Sequence, residues 1–563
     1  MVYRIRTIGY TYKHIKRYQA IVIVLVKHGF GDMISHIHLP KHIDLGKKLL
    51  RRQADVKIKT YTRWERVRLA LEELGPTFVK AGQIMSNRPD LLPKELIVEL
   101  EKLQDLVPPF STAEARRMIE EGLGAAIPSL FKEFTDIPIA SASIAQVHKA
   151  VLLSGEQVVI KVQRPGIKKV IDIDVGIMLN LATLMEEYLY GMKIINPVGI
   201  IREFERTIRE EIDFTIEAKH VNRFSRNFKA DPTIYVPKVY RDLTTRKILT
   251  MELIDGIKVS NVEALIAEGN DPEIIANRGT DLVLKQVFEQ GFFHADPHAG
   301  NIMVLDNNII CFIDFGMMGS LLPSHRECLG DMTVGIVNRD VKRIIRATLQ
   351  LSGSRYIENS DRFEYEVSEL VDEYYDLPLK DINVGGLLTS LFELVVAHKV
   401  KLPPDIYLLI KALITIEGVG SSIYPTFDMM SRIKPFASKL LKDRLSARRV
   451  AKDAYLSISE FALLARDLPT EIREIIEQIK LGEVKIEFEH KGLEPVLAKG
   501  DQVSNRIAYA IVLAALIVGS ALIVMSKTPP MWRGIPLIGV IGFAGAGVMG
   551  FWLLISILHH GKM

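Results

Sequence analysis

Two stretches near the carboxyl end constrain this chain more than any other feature. Ile507–Met525 runs for 19 residues without a charge and Pro536–Leu558 for 23. As helices at ~1.5 Å per residue they reach about 28 and 35 Å, enough for a hydrocarbon core of ~30 Å. The link Ser526–Ile535 contains Lys527, Pro529, Pro530, Trp532 and Arg533, and reads as a tight turn with an interfacial aromatic. A buried core hairpin is the plain alternative, and two adjacent runs of this length make it the poorer one. The expectation is a transmembrane helical hairpin, 507–525 and 536–558, with both ends on one side. Gly542, Ala546 and Gly550 recur at four-residue steps on the second span. Small residues at that spacing let helices approach closely, within the hairpin or between two copies of the chain. Lys499, Arg506 and Lys562 on one side, against Lys527 and Arg533 on the other, orient the hairpin only weakly.

The rest of the 563 residues is long enough for several domains, with 48% hydrophobic and 25% charged residues, a composition that folds. Cys311 and Cys328, the two cysteines, exclude a disulfide framework. A net charge of +4 gives no global sign of nucleic-acid binding. The charge is nonetheless uneven. Residues 1–60 hold 13 Lys/Arg against 3 Asp/Glu, which suggests an anionic partner for that end. Its apolar run Ala20–Val26 is too short to span a bilayer. A basic amphipathic helix on a membrane surface and a helix packed on the body are equally good readings. A cleaved targeting segment is a third, weakened by the scarcity of serine.

Residues 61–130 read as helices, interrupted at Gly75-Pro76 and Asn87-Arg88-Pro89-Asp90. Gln146–Leu152 and Gln157–Val162 are β-rich runs around Ser154-Gly155, a hairpin signal. Helical periodicity follows from about 167 to 225. Short strands are expected at Ile234–Val239 and Lys247–Leu253, and a second hairpin at Ile302–Leu305 and Ile309–Ile313. Beyond 324 the pattern is mostly helical. The order suggests a β-rich lobe joined to a helical lobe, with the ligand cleft between them.

The chemistry concentrates in Gly291–Asn301 and in Asp314-Phe315-Gly316 after the second hairpin. Protein kinases share the spacing of Asp296, four residues, Asn301, then Asp-Phe-Gly. Asn301 and Asp314 offer hard oxygens suited to Mg²⁺ bridging triphosphate oxygens. Asp296 suits accepting a proton from, or orienting, the attacking hydroxyl or water. His294 and His298 are better read as orienting the loop than as metal ligands, because Asp296-Pro297 breaks the helix that a two-histidine site wants.

Lys161 sits among β-branched residues on the second strand of the first hairpin, where a kinase fold puts its α/β-phosphate lysine. An acidic partner on a helix should hold it. Glu211 falls inside the stripe Ile201, Phe204, Ile208, Ile212, Thr215, and Glu217 points about 120° away on a regular helix. One unbroken helix cannot bring both to Lys161, and the periodicity prefers Glu211.

The chain resembles the UbiB protein-kinase-like family, also called ADCK or aarF-domain kinases. The resemblance rests on Lys80-Ala81-Gly82-Gln83, Pro138–His148, Val159–Gly166, Glu211-Ile212-Asp213-Phe214, His294–Asn301 and Asp314-Phe315-Gly316. It implies a two-lobed α+β protein-kinase-like fold with a helical amino-terminal extension and the carboxy-terminal transmembrane hairpin. It also implies ATP binding with Mg²⁺ or Mn²⁺, slow hydrolysis, and support of isoprenoid quinone biosynthesis at a membrane. Lys80, Gly82 and Gln83 would fold over the pocket where a protein kinase holds a peptide, with Glu211 and Asp213 against them. On that analogy Glu217 pairs with Lys161, so the choice between the two acids stays open.

In place of a glycine-rich loop the chain has Ala140-Ser141-Ala142-Ser143. These residues disfavour φ > 0, so the loop should be stiffer and grip phosphates differently. Ser141 departs modestly from the family's mostly alanine pattern. Met251-Glu252-Leu253 resembles an inter-lobe hinge, with Glu252 and Leu253 offering backbone to adenine. No Ala-Pro-Glu follows Asp314-Phe315-Gly316, which argues against peptide docking.

The expected organisation is a basic segment 1–60, a helical extension 61–135, an N-lobe 136–255, a helical C-lobe 256–490 and the two spans. The expected activity is that of a membrane-anchored atypical kinase-like ATPase, with a true protein or small-molecule kinase and a nucleotide-binding scaffold as alternatives. Expected partners are membrane lipids such as isoprenoid quinone precursors, lipid-biosynthetic enzymes and a second copy of the chain through the spans, and not nucleic acid. The expected location is the cell membrane with the large domain cytoplasmic, or an inner mitochondrial or plastid membrane in a eukaryote.

Overall fold

A computed structural model describes residues 12–31, 60–103 (apart from 87, 89 and 90), 107–188, 196–375 (apart from 355 and 358), 383–444, 468, 473, 480 and 494–560 (apart from 528 and 533). The chain divides into two compact units, Met1–Lys452 and Asp453–Met563.

In the first unit, helix α1 (Tyr12–Leu25) is followed by α2 (Arg63–Leu74), α3 (Pro76–Ser86), α4 (Lys94–Leu100) and α5 (Thr112–Leu123). An antiparallel sheet then forms from β1 (Phe131–Phe134), β2 (Ala140–Ser141), β3 (Ala145–Leu152) and β4 (Gln157–Gln163), joined later by β6 (Ile248–Glu252). Its path is β1-β3-β4-β6, with β2 on β3. The sheet therefore begins at Phe131, before the boundary at 136 expected from sequence. Alternation along β4 aims Val158, Ile160 and Val162 into a core with Met118 and Ile119 of α5. The intervening Lys161 consequently faces the opposite side.

That side is covered by α6 (Ile167–Tyr188), α7 (Pro197–Glu211) and α8 (Phe214–Asn227). The stripe Ile201–Thr215, read as one helix, is broken. Helix α7 ends at Glu211, and Asp213 caps α8 by accepting hydrogen bonds from the Thr215 amide (3.1 Å) and hydroxyl (2.6 Å). Aspartate competes well for such a position because its carboxylate satisfies an otherwise orphaned helix amide.

A second sheet has the order β5-β10-β9-β7, from β5 (Ile234–Tyr235), β7 (Ile257–Lys258), β9 (Ile302–Leu305) and β10 (Ile309–Phe312); β6 (Ile248–Glu252) stays in the first. The strand expected at Ile234–Val239 is split: Ile234–Tyr235 pairs in parallel with β10, and Val239 bridges Met251 at the edge of the first sheet. Between β7 and β9 lie α9 (Pro272–Leu284) and β8 (Phe292–His294), and β8 pairs with β11 (Met318–Ser320). Gly319 lies opposite Phe293, and a Cβ there would fall 2.2 Å from the ring. The absent side chain lets Phe293 bury completely and sets His294 in register.

Helices α10 (Pro323–Val337), α11 (Val341–Ser352), α12 (Ser360–Tyr375), α13 (Val384–Ala397), α14 (Pro404–Ile423) and α15 (Met429–Arg444) complete the unit. Helix α14 is long and apolar enough to cross a membrane, yet half of it is buried in the core.

Helix α1 settles one open reading. Tyr18, Ile21 and Val22 are buried among body residues, and Arg17 donates to both carboxylate oxygens of Asp174 at 2.7 and 2.8 Å and to Leu74 O at 2.9 Å. The helix packs on the body, and its arginine meets an anion inside the protein. The rest of 1–60 lies outside the described residues. Arg17→Met should leave the Asp174 carboxylate, which is fully shielded, without its cation, at a cost of about 2 kcal/mol. Hydrogen exchange across residues 12–31 should accelerate accordingly.

In the second unit, α16 (Glu494–Ser526) and α17 (Leu537–His560) form a hairpin joined through the short pair β12 (Met531–Trp532) and β13 (Ile535–Pro536). Ser504–Ser526 and Leu537–Leu554 are apolar and long enough to cross a membrane. Ile511, Leu522, Val548 and Phe551 are more than half exposed, an exterior that suits lipid. The small-residue face is used within the hairpin: Gly542 sits against Ser520, Gly550 against Leu513, and Ala546 is buried. Self-association through that face would have to displace this packing.

Candidate functional site

Lys161 and Glu217 form the centre. Lys161 Nζ lies 3.0 and 2.8 Å from the two oxygens of Glu217, and both side chains are largely shut away from solvent. The open choice is decided in favour of Glu217. Because Asp213 breaks the helix, the two acids leave on different axes, and Glu211 reaches Lys80 of α3 instead. Burial pulls the Lys161 ammonium down, but Asp314, Glu217 and Glu211 together outweigh it and hold the lysine above its ordinary value. Lys161, against the cost of burial and with help from the Gly316 amide, holds the Asp314 carboxyl at about 2. Lys80 adds to that pull, so the Lys80–Glu211 pair stands close to the same cluster.

Within the extension, Gly82 packs against Leu71, Leu100 and Leu103, and Gln83 Nε2 donates to Leu103 O at 3.1 Å. These contacts fix the helix that presents Lys80. Asp213 does not enter the cluster; it caps α8 and lies 3.4 Å from Arg246.

His294 ties the loop to Asp314. Its Nδ1 accepts from the Asp296 amide (3.1 Å), so Nε2 carries the proton and donates to Asp314 O (2.5 Å). Burial pushes this imidazole down, against the pull of Asp314 and Asp296, which keeps it neutral. His298 accepts from the Gly300 amide. Both histidines orient the loop, as their sequence context suggested. Asn301 Nδ2 donates to Asp296 O at 3.4 Å, and Asn301 O accepts from the Ile313 amide at 3.1 Å. Asp296, Asn301 and Asp314 are thus fixed in one backbone network.

This donor set fits a magnesium ion. Asp314 is ionised, and Asn301 commits its amide nitrogen to the loop, which turns its oxygen the other way. Among the described residues there is no group of three His, Cys, Asp or Glu able to cage a metal. Magnesium rarely needs one, since phosphates and water complete its octahedron.

Residues that the sequence reading passed over complete the site. Arg164 gathers the Ala140–Ser143 loop: it donates to Ala142 O (3.1 Å), Ser143 O (3.2 Å), Ser141 Oγ (3.4 Å) and Pro108 O (3.1 Å). His220, one turn along α8 from Glu217, donates from Nδ1 to Phe315 O at 3.0 Å, and Phe224 packs edge-on against Phe315. Helix α8 therefore grips the segment that carries Asp314. Lys411 of α14 lies 3.4 Å from Asp296 Oδ1. Arg164 lies inside the Val159–Gly166 motif and His220 three residues beyond Glu217; Lys411 has no local signal at all.

At the hinge the expectation narrows. The Glu252 amide donates to Lys238 O and the Leu253 amide to Gln157 O, while the Glu252 carboxylate accepts from Tyr235 and Lys238. Both amides serve the sheet, leaving at most the carbonyls for an adenine amino group.

The ABC1 atypical kinase-like domain matches residues 102–348, the UbiB helical domain 367–428 and the ABC1/UbiB kinase-like C-terminal domain 491–559. A Clostridium pasteurianum protein, described as an uncharacterized protein in the hydrogenase 1 5′ region, is 34% identical over 89% of this chain and 94% of its own length. The chain belongs to the ABC1/UbiB kinase-like family. Another member, the probable protein kinase UbiB of Marinobacter nauticus, is 37% identical over 74% of this chain and 77% of its own. That of Actinobacillus pleuropneumoniae serotype 5b is 34% identical over 90% and 94%. Among solved structures, the Rv3197–erythromycin complex from Mycobacterium tuberculosis aligns over 64% of this chain and 87% of that one, at 22% identity and a TM-score of 0.46. As a UbiB-family member the chain is an atypical kinase-like protein, and the two-lobed core with its helical extension matches that assignment.

Proposed function

We propose that this protein is a membrane-anchored atypical kinase-like ATPase that binds Mg·ATP between its lobes and supports ubiquinone biosynthesis. One observation carries the reading: a buried lysine, Lys161, is locked to Glu217 and faces an ionised Asp314. Lys161 would meet the α- and β-phosphates, Asn301 and Asp314 the metal, and Asp296 the water or acceptor. The Ala140–Ser143 loop, held by Arg164, would lie over the phosphates. When bound, the magnesium supplies charge neutralisation to the triphosphate. On the family resemblance, the Lys80–Glu211 pair would lie over the region where a protein kinase holds a peptide, which favours a small or lipid-borne acceptor, or water, over a protein. The quinone assignment is drawn from the UbiB name of the relatives, and the apolar exterior of the hairpin supports action at a membrane, with the large domain on the cytoplasmic side.

The test is calorimetry and turnover with the purified full-length protein in liposomes, with lipid extracts analysed afterwards. Expected are Mg-dependent ATP uptake and phosphate release. No uptake with either magnesium or manganese would refute the proposal. Label appearing on an added acceptor would install a true kinase, and function of a variant that binds without turnover would install a scaffold. Arg164→Met should raise the KM for ATP about tenfold, the loss of roughly one charge-assisted hydrogen bond, with a smaller change in kcat.

A further inference from the structure

Helix α14 has the length and hydropathy of a membrane span but carries three charges, Asp405, Lys411 and Glu417. They are spaced six apart, so at 100° per residue they point in three directions about 120° from one another. Each direction meets a different neighbour. Asp405 accepts from the Ser320 amide of β11 at 3.2 Å. Glu417 accepts from the Val384 and Gly385 amides at the start of α13, at 2.8 and 2.6 Å. Lys411 points to Asp296.

The first two charges satisfy backbone amides and need no further role. The third does something else. Its partner is a carboxylate at the candidate catalytic position, and the ion pair spans 3.4 Å, longer than the 2.8 Å contact of Lys161 with Glu217. Lys411 and Asp296 are 36% and 33% exposed, whereas Lys161 and Glu217 are 19% and 6% exposed. A partly exposed pair adds little to stability, so stability is a weak reason for a lysine in the middle of an apolar helix.

Phosphoryl transfer needs positive charge where the terminal phosphate sheds its bond. Lys161 is held by Glu217 deep in the cleft, and Lys80 is held by Glu211. Lys411 stands beside the residue that would receive the nucleophile's proton. We propose that Lys411, delivered by the UbiB helical domain to the kinase-like domain, is a catalytic residue that contacts the terminal phosphate of bound ATP. The inference rests on the Mg·ATP reading above. It makes the helical domain a chemical part of the site, since the matched segments 102–348 and 367–428 each lack what the other supplies.

The experiment measures Mg·ATP and Mg·ADP affinities by calorimetry, with turnover alongside, for the full chain, Lys411→Met and Lys411→Arg. For Lys411→Met, ATP affinity should fall about tenfold or more while ADP affinity changes less than about threefold, and turnover should fall about a hundredfold. Lys411→Arg, which keeps the charge, should recover most of the ATP preference. Equal losses for the two nucleotides, or unchanged affinities with a lower melting temperature, would make Lys411 a packing residue and overturn the proposal. Wild-type protein that binds neither nucleotide would overturn the Mg·ATP reading and this inference with it, an outcome distinct from a silent Lys411→Met.

Discussion

Replacing Asp314 with asparagine should lower Mg-dependent ATP turnover by about 10³-fold. The residue is buried, its carboxyl is held at about 2, and it is ionised throughout the physiological range. An asparagine keeps the shape and one acceptor oxygen but removes the full charge that a divalent cation requires. Lys161 would also lose one of the three carboxylates that hold it protonated. The depressed value has a second consequence. Asp314 adds roughly 2 kcal/mol to stability, fully present above about pH 4 and lost as pH falls through about 2, since the folded state favours the ionised form. The variant should therefore show a shallower loss of stability on acidification over that window. Phosphate release with saturating Mg·ATP checks the first effect, and thermal melts between pH 5 and 2 check the second. Full turnover by the variant would sink the nucleotide assignment.

Glu217→Ala is the other large effect. The substitution opens a cavity beneath α8 and leaves a buried ammonium without its nearest carboxylate, at a cost on the order of 3 kcal/mol. Asp314 remains close to Lys161 and is the natural replacement partner. That rearrangement would draw the carboxylate proposed to hold the metal toward the lysine. Expected results are a lower melting temperature, weaker Mg·ATP binding, and turnover reduced by at least about a hundredfold. Glu217→Gln should keep most of the packing and lose most of the turnover, separating the charge from the volume. His220 and Phe224 share the helix and grip Phe315, so added hydrogen exchange in the segment Asp314–Gly316 should accompany the alanine variant.

The partner of Lys161 turns on a helix end. Periodicity alone treats Glu211 and Glu217 as residues of one helix and favours Glu211, whereas the choice left open by the family resemblance falls to Glu217. The signal that would have corrected it was Asp213, two residues before a threonine, in a run that reads equally well as continuous helix or as a cap. Which of these forms depends on Phe214 being buried and its amide meeting Arg246 O at 3.2 Å, both tertiary facts. The amino-terminal helix failed to declare itself for a similar reason. An apolar face flanked by lysine and arginine suits a bilayer or a protein core, and the buried Asp174 that receives Arg17 lies on a helix far along the chain. At the hinge, the sheet had already claimed the amides of Glu252 and Leu253, which no local pattern reveals.

What the sequence determined by itself was local and chemical. Two long uncharged runs dictate helices suited to a bilayer, because a backbone in hydrocarbon must satisfy its own hydrogen bonds. The Asp296–Asn301 spacing followed by Asp314-Phe315-Gly316 brings the proposed oxygen ligands into one loop network through one hairpin, a short-range geometry that spacing can encode. Alternation on β4 aims Lys161 away from the Val158–Val162 core face. Only the tertiary structure decided which acid meets which lysine, that α14 lies in the core, and that Lys411 faces Asp296. Those pairings join segments far apart in the chain, and they depend on where helices end and how their axes cross, which no spacing of residues along the chain specifies.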